Sequence, residues 1–414
     1  MPLPCASVPH AVIRSLRDSY RDAFSGLPRS VWLLSIAQLV NRSGTMVLPF
    51  LTLWLTEKKG FSTTQAGAAL GLYGAGAMLG AYLGGEIVDR VGARRVMVAS
   101  LVLGGIGWLV LGQLDSHVAI LAMILAQSIV AEALRPAASS ALAQSAAPGE
   151  RVRAYALNRM AINLGMTCGP TVGGLLAVHS YGALFMANGA TTIAAAGTLW
   201  FLFRGEPSTP VSDASNAGGA VRSPWRDAPY LAFLGLMTLL VIVVFQLNST
   251  FTLYMHRDLG RSEAGIGLLL GTNTLLIVLF EMVIVHKLRK VPPTRLLGPG
   301  AFLLCAGFAL MPFGRSWTWL VVTVVVWTLG EMLALPLVES IVADRADERS
   351  RGRYMGLLTM SFGLALMLAP VVGTRVYEQL GPDVLWFGCG IVGVVLWIGF
   401  AALSTRLSRS TLAS

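Results

Sequence analysis

Long runs of apolar residues, separated by short polar segments, dominate this sequence. Hydrophobic residues make up 55% of the 414 positions and charged residues only 13%, whereas soluble globular domains carry about 25% charged residues. A helix that crosses a bilayer needs about 20 mainly apolar residues. Because a helix satisfies its own backbone hydrogen bonds in lipid, these runs predict an all-α membrane protein.

We predict twelve transmembrane helices, numbered in chain order: 31–56, 65–88, 95–114, 117–143, 154–178, 182–203, 229–256, 264–288, 296–314, 317–343, 354–378 and 384–405. Residues 204–226, between the sixth and the seventh, are rich in Ser, Pro, Gly and Ala and predict a flexible linker. The predicted domains are an N-terminal segment 1–30, a six-helix bundle 31–203, the linker 204–226, a second bundle 227–406 and a tail 407–414.

Basic residues are distributed unevenly between the two sides of these predicted helices. The loops on one side carry only Lys58, Lys59, Arg257, Arg261 and Arg315, and most other basic residues fall in the loops on the other side, the linker and the tails. Since Lys and Arg favour the cytoplasmic side, both termini are predicted to be cytoplasmic. We expect a multi-pass protein of the bacterial cytoplasmic (inner) membrane.

The two halves of the chain repeat each other at an offset of 200 residues. Leu51-Thr-Leu-Trp54 aligns with Phe251-Thr-Leu-Tyr254, and Pro136 and Pro170 align with Pro336 and Pro370. Six helices per half give both halves the same orientation in the membrane. The repeat therefore predicts two parallel six-helix bundles.

A charged, glycine-containing segment connects predicted helices 2 and 3. It has the spacing G-x-x-x-D-R-x-G-x-R-R, which begins at Gly85 and ends at Arg95. Such a segment cannot enter lipid, so it predicts a tight turn at the membrane surface, where Gly92 permits the reversal. The spacing resembles the loop 2–3 signature of the major facilitator superfamily of transporters, and the likeness extends over essentially the whole chain.

The resemblance implies two bundles that rock about a central cavity and expose it alternately to each side of the membrane. In that family helices 1, 4, 7 and 10 line the cavity. The loop 2–3 acid and arginine, here Asp89 and Arg90 or Arg94, latch the halves together. We therefore assign conformational gating to Gly85, Asp89, Arg90, Gly92 and Arg94.

Charged residues inside the predicted helices are candidate functional residues, because a charge at mid-bilayer costs about 2.5–3.5 kcal/mol on insertion scales. Glu132 and Arg135 share one face of helix 4, either as a site of proton exchange or as a static pair. Glu331 in helix 10 and Glu281 in helix 8 have no neighbouring cation in sequence. A buried carboxyl of that kind is expected to hold a proton and release it when water or a cation arrives. We assign proton coupling to Glu331, Glu132 and Glu281.

Substrate binding is assigned to Asn41 and Arg42 in helix 1, Arg135 in helix 4 and Glu331 in helix 10. Arg42 can hold an anionic group or neutralise a carboxylate of helix 4. Arg159 in helix 5, by contrast, is expected to extend its long side chain to the inner surface.

Glycines at four-residue spacing in helix 5 predict close helix packing. They flank a proline, which is expected to kink the helix. The assigned packing residues are Gly165, Gly169, Pro170, Gly173 and Gly174. This run resembles the helix 5 signature of the drug/proton antiporter branch, with Ala156 where that pattern has a further glycine.

The resemblance implies a proton-driven exporter of amphipathic or cationic compounds. The alternative is a proton symporter that imports a small polar solute such as a short peptide, whose two charged ends suit Arg42, Arg135 and Glu331. The four cysteines have no CxxC spacing, and no catalytic triad or phosphate loop is recognisable. We therefore expect no enzyme activity, metal, cofactor or nucleic-acid partner, and a monomer that works with a small-molecule substrate, protons and lipid.

Overall fold

The computed structural model describes residues 26–147, 150–202, 223–288, 290–345 and 351–408. The predicted N-terminal segment up to residue 25, most of the linker and the end of the tail lie outside these residues. The helices, labelled to follow the predicted spans, are α1 (Arg29–Ser43 and Val47–Lys58), α2 (Thr63–Val91), α3 (Ala93–Leu111), α4 (His117–Glu132 and Leu134–Ser145), α5 (Arg151–His179), α6 (Tyr181–Leu202), α7 (Ala228–Val244, continued by short pieces to Asp258), α8 (Glu263–Leu288), α9 (Pro293–Ala309), α10 (Trp317–Arg345), α11 (Arg351–Leu380) and α12 (Pro382–Ser408).

Helices occupy the positions of all the predicted spans, and the described ranges contain no strand. Ten helices in this part of the chain are long and apolar enough to cross a membrane. The interrupted α1 and the helix α6 are not among those ten. The all-α membrane fold is confirmed, while the number of twelve crossings and the cytoplasmic termini stay predictions.

Three of the predicted spans are interrupted rather than continuous. α1 breaks at residues 44–46, α4 breaks at Ala133, and α7 changes to tighter turns at Phe245–Asn248. At the break in α1, the backbone N–H groups of Met46 and Val47 both donate to Oδ1 of Asn188, each at 3.0 Å. The prediction of one unbroken helix over 31–56 was wrong, because an apolar average does not detect a local break that another helix caps.

The halves meet through two pairs of helices related by the repeat, since α2 packs on α11 and α5 packs on α8. A Cβ atom added to Gly267 would lie 2.3 Å from the carbonyl oxygen of Pro170. In the other pair, a Cβ atom added to Gly67 would lie 2.7 Å from the carbonyl oxygen of Pro370. Glycine is required at both positions for the helices to approach this closely.

Glycines with positive φ mark the turns at both ends of the bundle. Gly92, with φ of 90°, reverses the chain between α2 and α3 as predicted. We call this the basic end. Gly60 and Gly260, which are equivalent in the repeat, have φ of 70° and 61° and precede α2 and α8 at the opposite end.

Polar side chains join the two halves at the opposite end. Arg257 binds Glu57 with N–O distances of 2.8 and 3.0 Å, and it also donates to Thr63 at 2.9 Å. The hydroxyl of Tyr181 donates to Glu263 at 3.2 Å, and Thr64 donates to Glu378. The halves are therefore held together at the opposite end.

The interior of the C-terminal half is filled with aromatic rings. The indole of Trp327 stacks on Phe308 with ring centroids 5.0 Å apart, and the edge of Phe251 meets it at 5.5 Å. Trp386 stacks on the other side of Phe308 at 5.9 Å. All four side chains are buried, so this half has a close-packed centre.

Candidate functional site

A cavity of 470 Å³ lies inside the N-terminal half, between α1, α2, α3, α4, α5 and α6. Arg42, Asn41, Glu132 and Arg135, all predicted from the sequence, line it. Glu331 lies outside this cavity. The structure thus brings three of the four predicted substrate-binding residues together and places the fourth in the other half.

The exposed part of the cavity wall lies toward the basic end. Arg135, Ser139 and Tyr155, which lie nearer that end on α4 and α5, are exposed, whereas Gln38 and Gln127 deeper in the cavity are buried. The halves are held together at the opposite end. The cavity therefore opens toward the end that the sequence predicts to be cytoplasmic.

Arg42 occupies the deep part of this cavity, two residues before the break in α1. Its Nε atom is buried without a hydrogen-bond partner, and no ion pair of Arg42 is found among the described residues. A buried guanidinium without an anion is costly. This side chain is therefore suited to bind an anionic or carbonyl group that enters the cavity.

Glu132 and Arg135 form the predicted pair across one turn of α4, with an N–O distance of 3.1 Å. The carboxylate is largely covered, with 16% of its side chain exposed, while 55% of the Arg135 side chain is exposed. The charged residues on the cavity wall are these two and Arg42, so the wall is net positive.

Gln127 lies at the back of the cavity and was not singled out by the sequence. Its Nε2 donates to the carbonyl oxygen of Gly104 at 2.9 Å, whereas its Oε1 is buried without a hydrogen-bond partner. The signal that could have found it is the repeat, because the equivalent residue in the other half is Trp327.

Glu331 lies in the C-terminal half and is bound by an amide. Nδ2 of Asn273, on α8, donates to Oε2 of Glu331 at 3.0 Å and contacts Oγ1 of Thr328 at 2.9 Å. Sequence reasoning identified Glu331 but missed Asn273, which is 58 residues away in sequence and joins it only through the packing of α8 on α10.

Glu281 has an ion-pair partner, although no cation is near it in the sequence. Its carboxylate lies 2.8 Å from the guanidinium of Arg159, with 12% of the Glu281 side chain and 46% of the Arg159 side chain exposed. This ion pair joins α8 to α5 and therefore joins the two halves. The sequence predicted that Arg159 extends to the inner surface and did not predict this pair, because the carboxylate belongs to the other half.

The gating residues predicted in the turn between α2 and α3 lie at the basic end. Gly92 forms the reversal, and a guanidinium nitrogen of Arg94 is 3.5 Å from the carbonyl oxygen of Trp200, at the end of α6. Arg90 is exposed and a Cβ added to Gly85 would meet open space. The side chain of Asp89 lies outside the described residues, so the proposed latch stays a prediction.

The glycine run of α5 lies against both α1 and α8. Cβ atoms added to Gly165, Gly169 and Gly173 would lie 2.7 to 2.9 Å from atoms of Arg42, Thr45 and Met46 in turn. A Cβ added to Gly174 would lie 2.3 Å from the carbonyl oxygen of Glu263, on the other half. These contacts place the run beside Arg42 and the break in α1.

The described residues contain no group of three or more His, Cys, Asp or Glu side chains placed to hold a metal ion. The polar groups of the two halves are instead carboxylates, guanidinium groups and amides at membrane depth. Such groups bind protons and polar solutes.

The chain belongs to the Major Facilitator Superfamily, whose family profile matches residues 34–260 and 231–413. It is therefore a transporter of that kind rather than a member of an enzyme family. The sequence-based resemblance to this family is confirmed.

Several curated bacterial proteins are similar along most of their length. The uncharacterized MFS-type transporter YqjV of Bacillus subtilis is 24% identical over 84% of this chain and 87% of its own. A Na(+), Li(+), K(+)/H(+) antiporter of Planococcus maritimus is 24% identical over 88% and 91%. The multidrug resistance protein MdtH of Yersinia pestis is 23% identical over 86% and 89%.

Solved structures with the same fold include a peptide transporter POT in complex with sulfate. It has a TM-score of 0.77 and 19% sequence identity, and the match covers 93% of this chain and 96% of that one. A POT family transporter in complex with 5-aminolevulinic acid has a TM-score of 0.78 and 17% identity. At these identities the likeness shows the fold alone.

Proposed function

We propose that this protein is a proton-coupled secondary active transporter that works by alternating access and exports amphipathic compounds from the bacterial cytoplasm in exchange for protons. The observation that carries the proposal is the pairing of a solute-sized cavity with separate carboxyl groups at membrane depth. The cavity lies in the N-terminal half. Glu331 and Glu281 lie in the C-terminal half, outside it.

The cavity is the substrate site in this proposal. It is open at the basic end, and the halves are joined at the opposite end by Arg257 and its partners. This arrangement corresponds to one of the two states that alternating access requires. Breaking those contacts while closing the basic end would produce the other state.

Glu331 is the proton carrier in this proposal. The Asn273 amide fixes one carboxyl oxygen and leaves the other for a proton. Glu281 is a second candidate, because a proton on it would release Arg159 and weaken a contact between the halves. Proton binding and movement of the halves are thereby linked through one interface.

Antiport is favoured over symport by the names of two relatives and by the glycine run of α5. The Planococcus relative is named as an antiporter and the Yersinia relative as a multidrug resistance protein. The resemblance of Gly165–Gly174 to the antiporter signature agrees with these names.

The test is dye transport by purified protein in lipid vesicles. An amphipathic dye should be expelled only while a proton gradient is imposed, and Glu331→Gln should abolish this. The control is Glu339→Gln, which changes an exposed carboxyl two turns further along α10. Transport that ignores the gradient, or coupling that survives neutralisation of Glu331, Glu281 and Glu132 together, would contradict the proposal.

One observation favours the alternative, import of a small polar solute such as a short peptide together with protons. The cavity wall is net positive, and Arg42 has an unpartnered Nε. Both features suit the carboxylate of a zwitterion. Solute-driven entry of protons into vesicles without an imposed gradient would establish this alternative in place of export.

A further inference from the structure

The deep wall of the cavity in the N-terminal half, which we call the N-half cavity, carries an acceptor that none of the described residues satisfies. Oε1 of Gln127 is buried without a hydrogen-bond partner, and 1% of the residue is exposed. A buried polar atom left unpaired costs about 1–3 kcal/mol. This atom is therefore suited to accept a hydrogen bond from a group that is not part of the described chain.

The orientation of the Gln127 amide follows from its neighbours. The carbonyl oxygen of Gly104 is 2.9 Å from the amide nitrogen, and a carbonyl accepts but does not donate. Turning the amide over would place two acceptors against each other. The unsatisfied atom is therefore the oxygen, and its partner must carry an N–H or O–H group.

The absence of a side chain at Gly107 makes room for the Gln127 amide. A Cβ atom added to Gly107 on α3 would lie 1.9 Å from Oε1 of Gln127. In the other half the equivalent of Gln127 is Trp327, which fills the corresponding space with its ring. A polar side chain therefore occupies the place where the same fold otherwise packs a large aromatic residue.

Arg42 and Gln127 offer opposite hydrogen-bonding groups, a donor and an acceptor, in one cavity. Nε of Arg42 is an unpartnered donor, and Oε1 of Gln127 is an unpartnered acceptor. Trp108 and Tyr73 contribute rings to the same wall. A solute that satisfies all of these carries an anionic or carbonyl acceptor, an N–H or O–H donor and an apolar group.

We propose that Gln127 is a specificity-determining residue, whose Oε1 accepts a hydrogen bond from an N–H or O–H group of a solute whose anionic group binds Arg42. This proposal rests on the proposed function, since it takes the N-half cavity as the substrate site. It narrows the substrate class from amphipathic compounds in general to anionic or zwitterionic compounds with a hydrogen-bond donor. Permanent cations without such a donor are excluded.

The test is equilibrium binding of radiolabelled N-acetylphenylalanine to the purified full chain in nanodiscs, with no proton gradient. The competitor N-acetyl-N-methylphenylalanine lacks only the N–H group. It should bind the unmodified protein about five- to tenfold more weakly, which is the value of one neutral hydrogen bond. Tetraphenylphosphonium, a permanent cation without a donor, should not compete.

Gln127→Leu should bring the two affinities within about twofold of each other, because the acceptor is gone while the side-chain size is kept. Gln144→Leu removes an exposed amide near the basic end of the same helix and should change nothing. Gel filtration shows whether each variant is folded.

Equal binding of the two compounds by the unmodified protein would overturn the proposal, as would a preference that persists in folded Gln127→Leu or no binding of N-acetylphenylalanine at all. Failure of proton coupling is distinct, because the binding measurement uses no gradient. An exporter without the Gln127 subsite would still expel the dye in a gradient-dependent way. A Gln127 subsite without coupling would still discriminate the two compounds.

Discussion

The two halves of this transporter share one repeat but differ in what occupies their centres. In the N-terminal half, Trp108 and Gln127 line an open cavity. Their equivalents in the C-terminal half are Phe308 and Trp327, which stack against each other and are buried. Two substitutions in a duplicated fold thus accompany the difference between a solute-sized space and a packed core.

The charged groups also differ between the two halves. Arg42, Glu132 and Arg135 have Ile242, Met332 and Leu335 as their equivalents, and Glu331 has Ala131. The N-terminal half therefore presents basic groups to a cavity, whereas the C-terminal half holds a carboxyl against an amide. In the proposed mechanism, this separation places the substrate site and the proton carrier in different halves of one molecule.

The largest expected effect comes from emptying the packed centre. Trp327→Ala should lower the free energy of unfolding by about 3–5 kcal/mol, because it leaves a cavity between Phe308 and Phe251. The measurement is chemical unfolding in detergent micelles, with Trp200→Ala on an exposed site as the control. A loss no larger than that of the control would mean that the aromatic centre is not a rigid core.

The halves also differ at their basic ends, where the C-terminal half has a buried ion pair. Asp227, whose side chain is 1% exposed, binds Arg345 at 2.5 Å and accepts from Tyr354 at 3.0 Å. The equivalents of Asp227 and Tyr354 are the buried Leu27 and Ala154. Asp227→Asn should cost about 3 kcal/mol, since it removes the charge of a buried carboxylate that the Arg345 guanidinium and the Tyr354 hydroxyl bind.

This second prediction has a pH signature. Burial alone would raise the pKa of Asp227, but the hydrogen bonds from Arg345 and Tyr354 outweigh it and hold that pKa below its ordinary value of 3.8. A carboxyl with a lowered pKa stabilises the folded protein above its unfolded pKa, and this stability is lost as the pH falls through the folded pKa. Thermal unfolding below pH 4 should therefore depend less on pH in Asp227→Asn. Gly235→Ala, which changes no titratable group, should leave that dependence unchanged.

A smaller effect is expected where the halves are most alike, at the glycines of the two interfaces. Gly267→Ala and Gly67→Ala should each cost about 1–3 kcal/mol, because the added methyl would overlap a proline carbonyl of the facing helix. Gly235→Ala is the control, since its Cβ would meet open space. If thermal unfolding tolerates one interface variant and not the other, the two interfaces are not equivalent in solution.

The smallest expected change in stability is at the opposite end. Glu57→Gln breaks the pair with Arg257, and because 37% of each side chain is exposed the loss should be at most about 1 kcal/mol. The larger effect of this variant should be on the conformation of the protein, because a contact between the halves is lost. Spin labels on the two halves at this end should report a larger share of long distances, and labels at the basic end a larger share of short ones. Unchanged distances would show that this pair does not hold the opposite end closed.

Much of the architecture could be read from the sequence because apolar length and the 200-residue repeat are properties of the chain itself. The ends of α5, α8, α10 and α11 lie within a few residues of their predictions for that reason. The break in α1 was missed because its cause, Asn188, belongs to another helix. The pairing of Arg159 with Glu281 was missed because hydropathy does not say which faces of α5 and α8 meet.

The candidate site was predictable in its charges and in the amide Asn41, but not in its other amides. Arg42 and Glu331 were recognisable because a charge in an apolar run is conspicuous. Gln127, Asn188 and Asn273 are neutral and raise no such signal, yet each makes a contact in the structure that shapes the site. In the repeat, Gln127 is equivalent to Trp327 and Asn273 is equivalent to Tyr73. These differences between equivalent positions are a signal that could have identified two of the three amides.

Because α1 is interrupted, it consists of two helical pieces whose junction is bound by a residue of another helix. Asn188 of α6 holds the amides of Met46 and Val47, so the two pieces of α1 share a pivot fixed from outside. Arg42 lies just before that pivot, on the longer of the two pieces, which extends toward the basic end. A small tilt of this piece would move the guanidinium of Arg42 along the cavity. The other piece, which ends near Glu57, would stay in place.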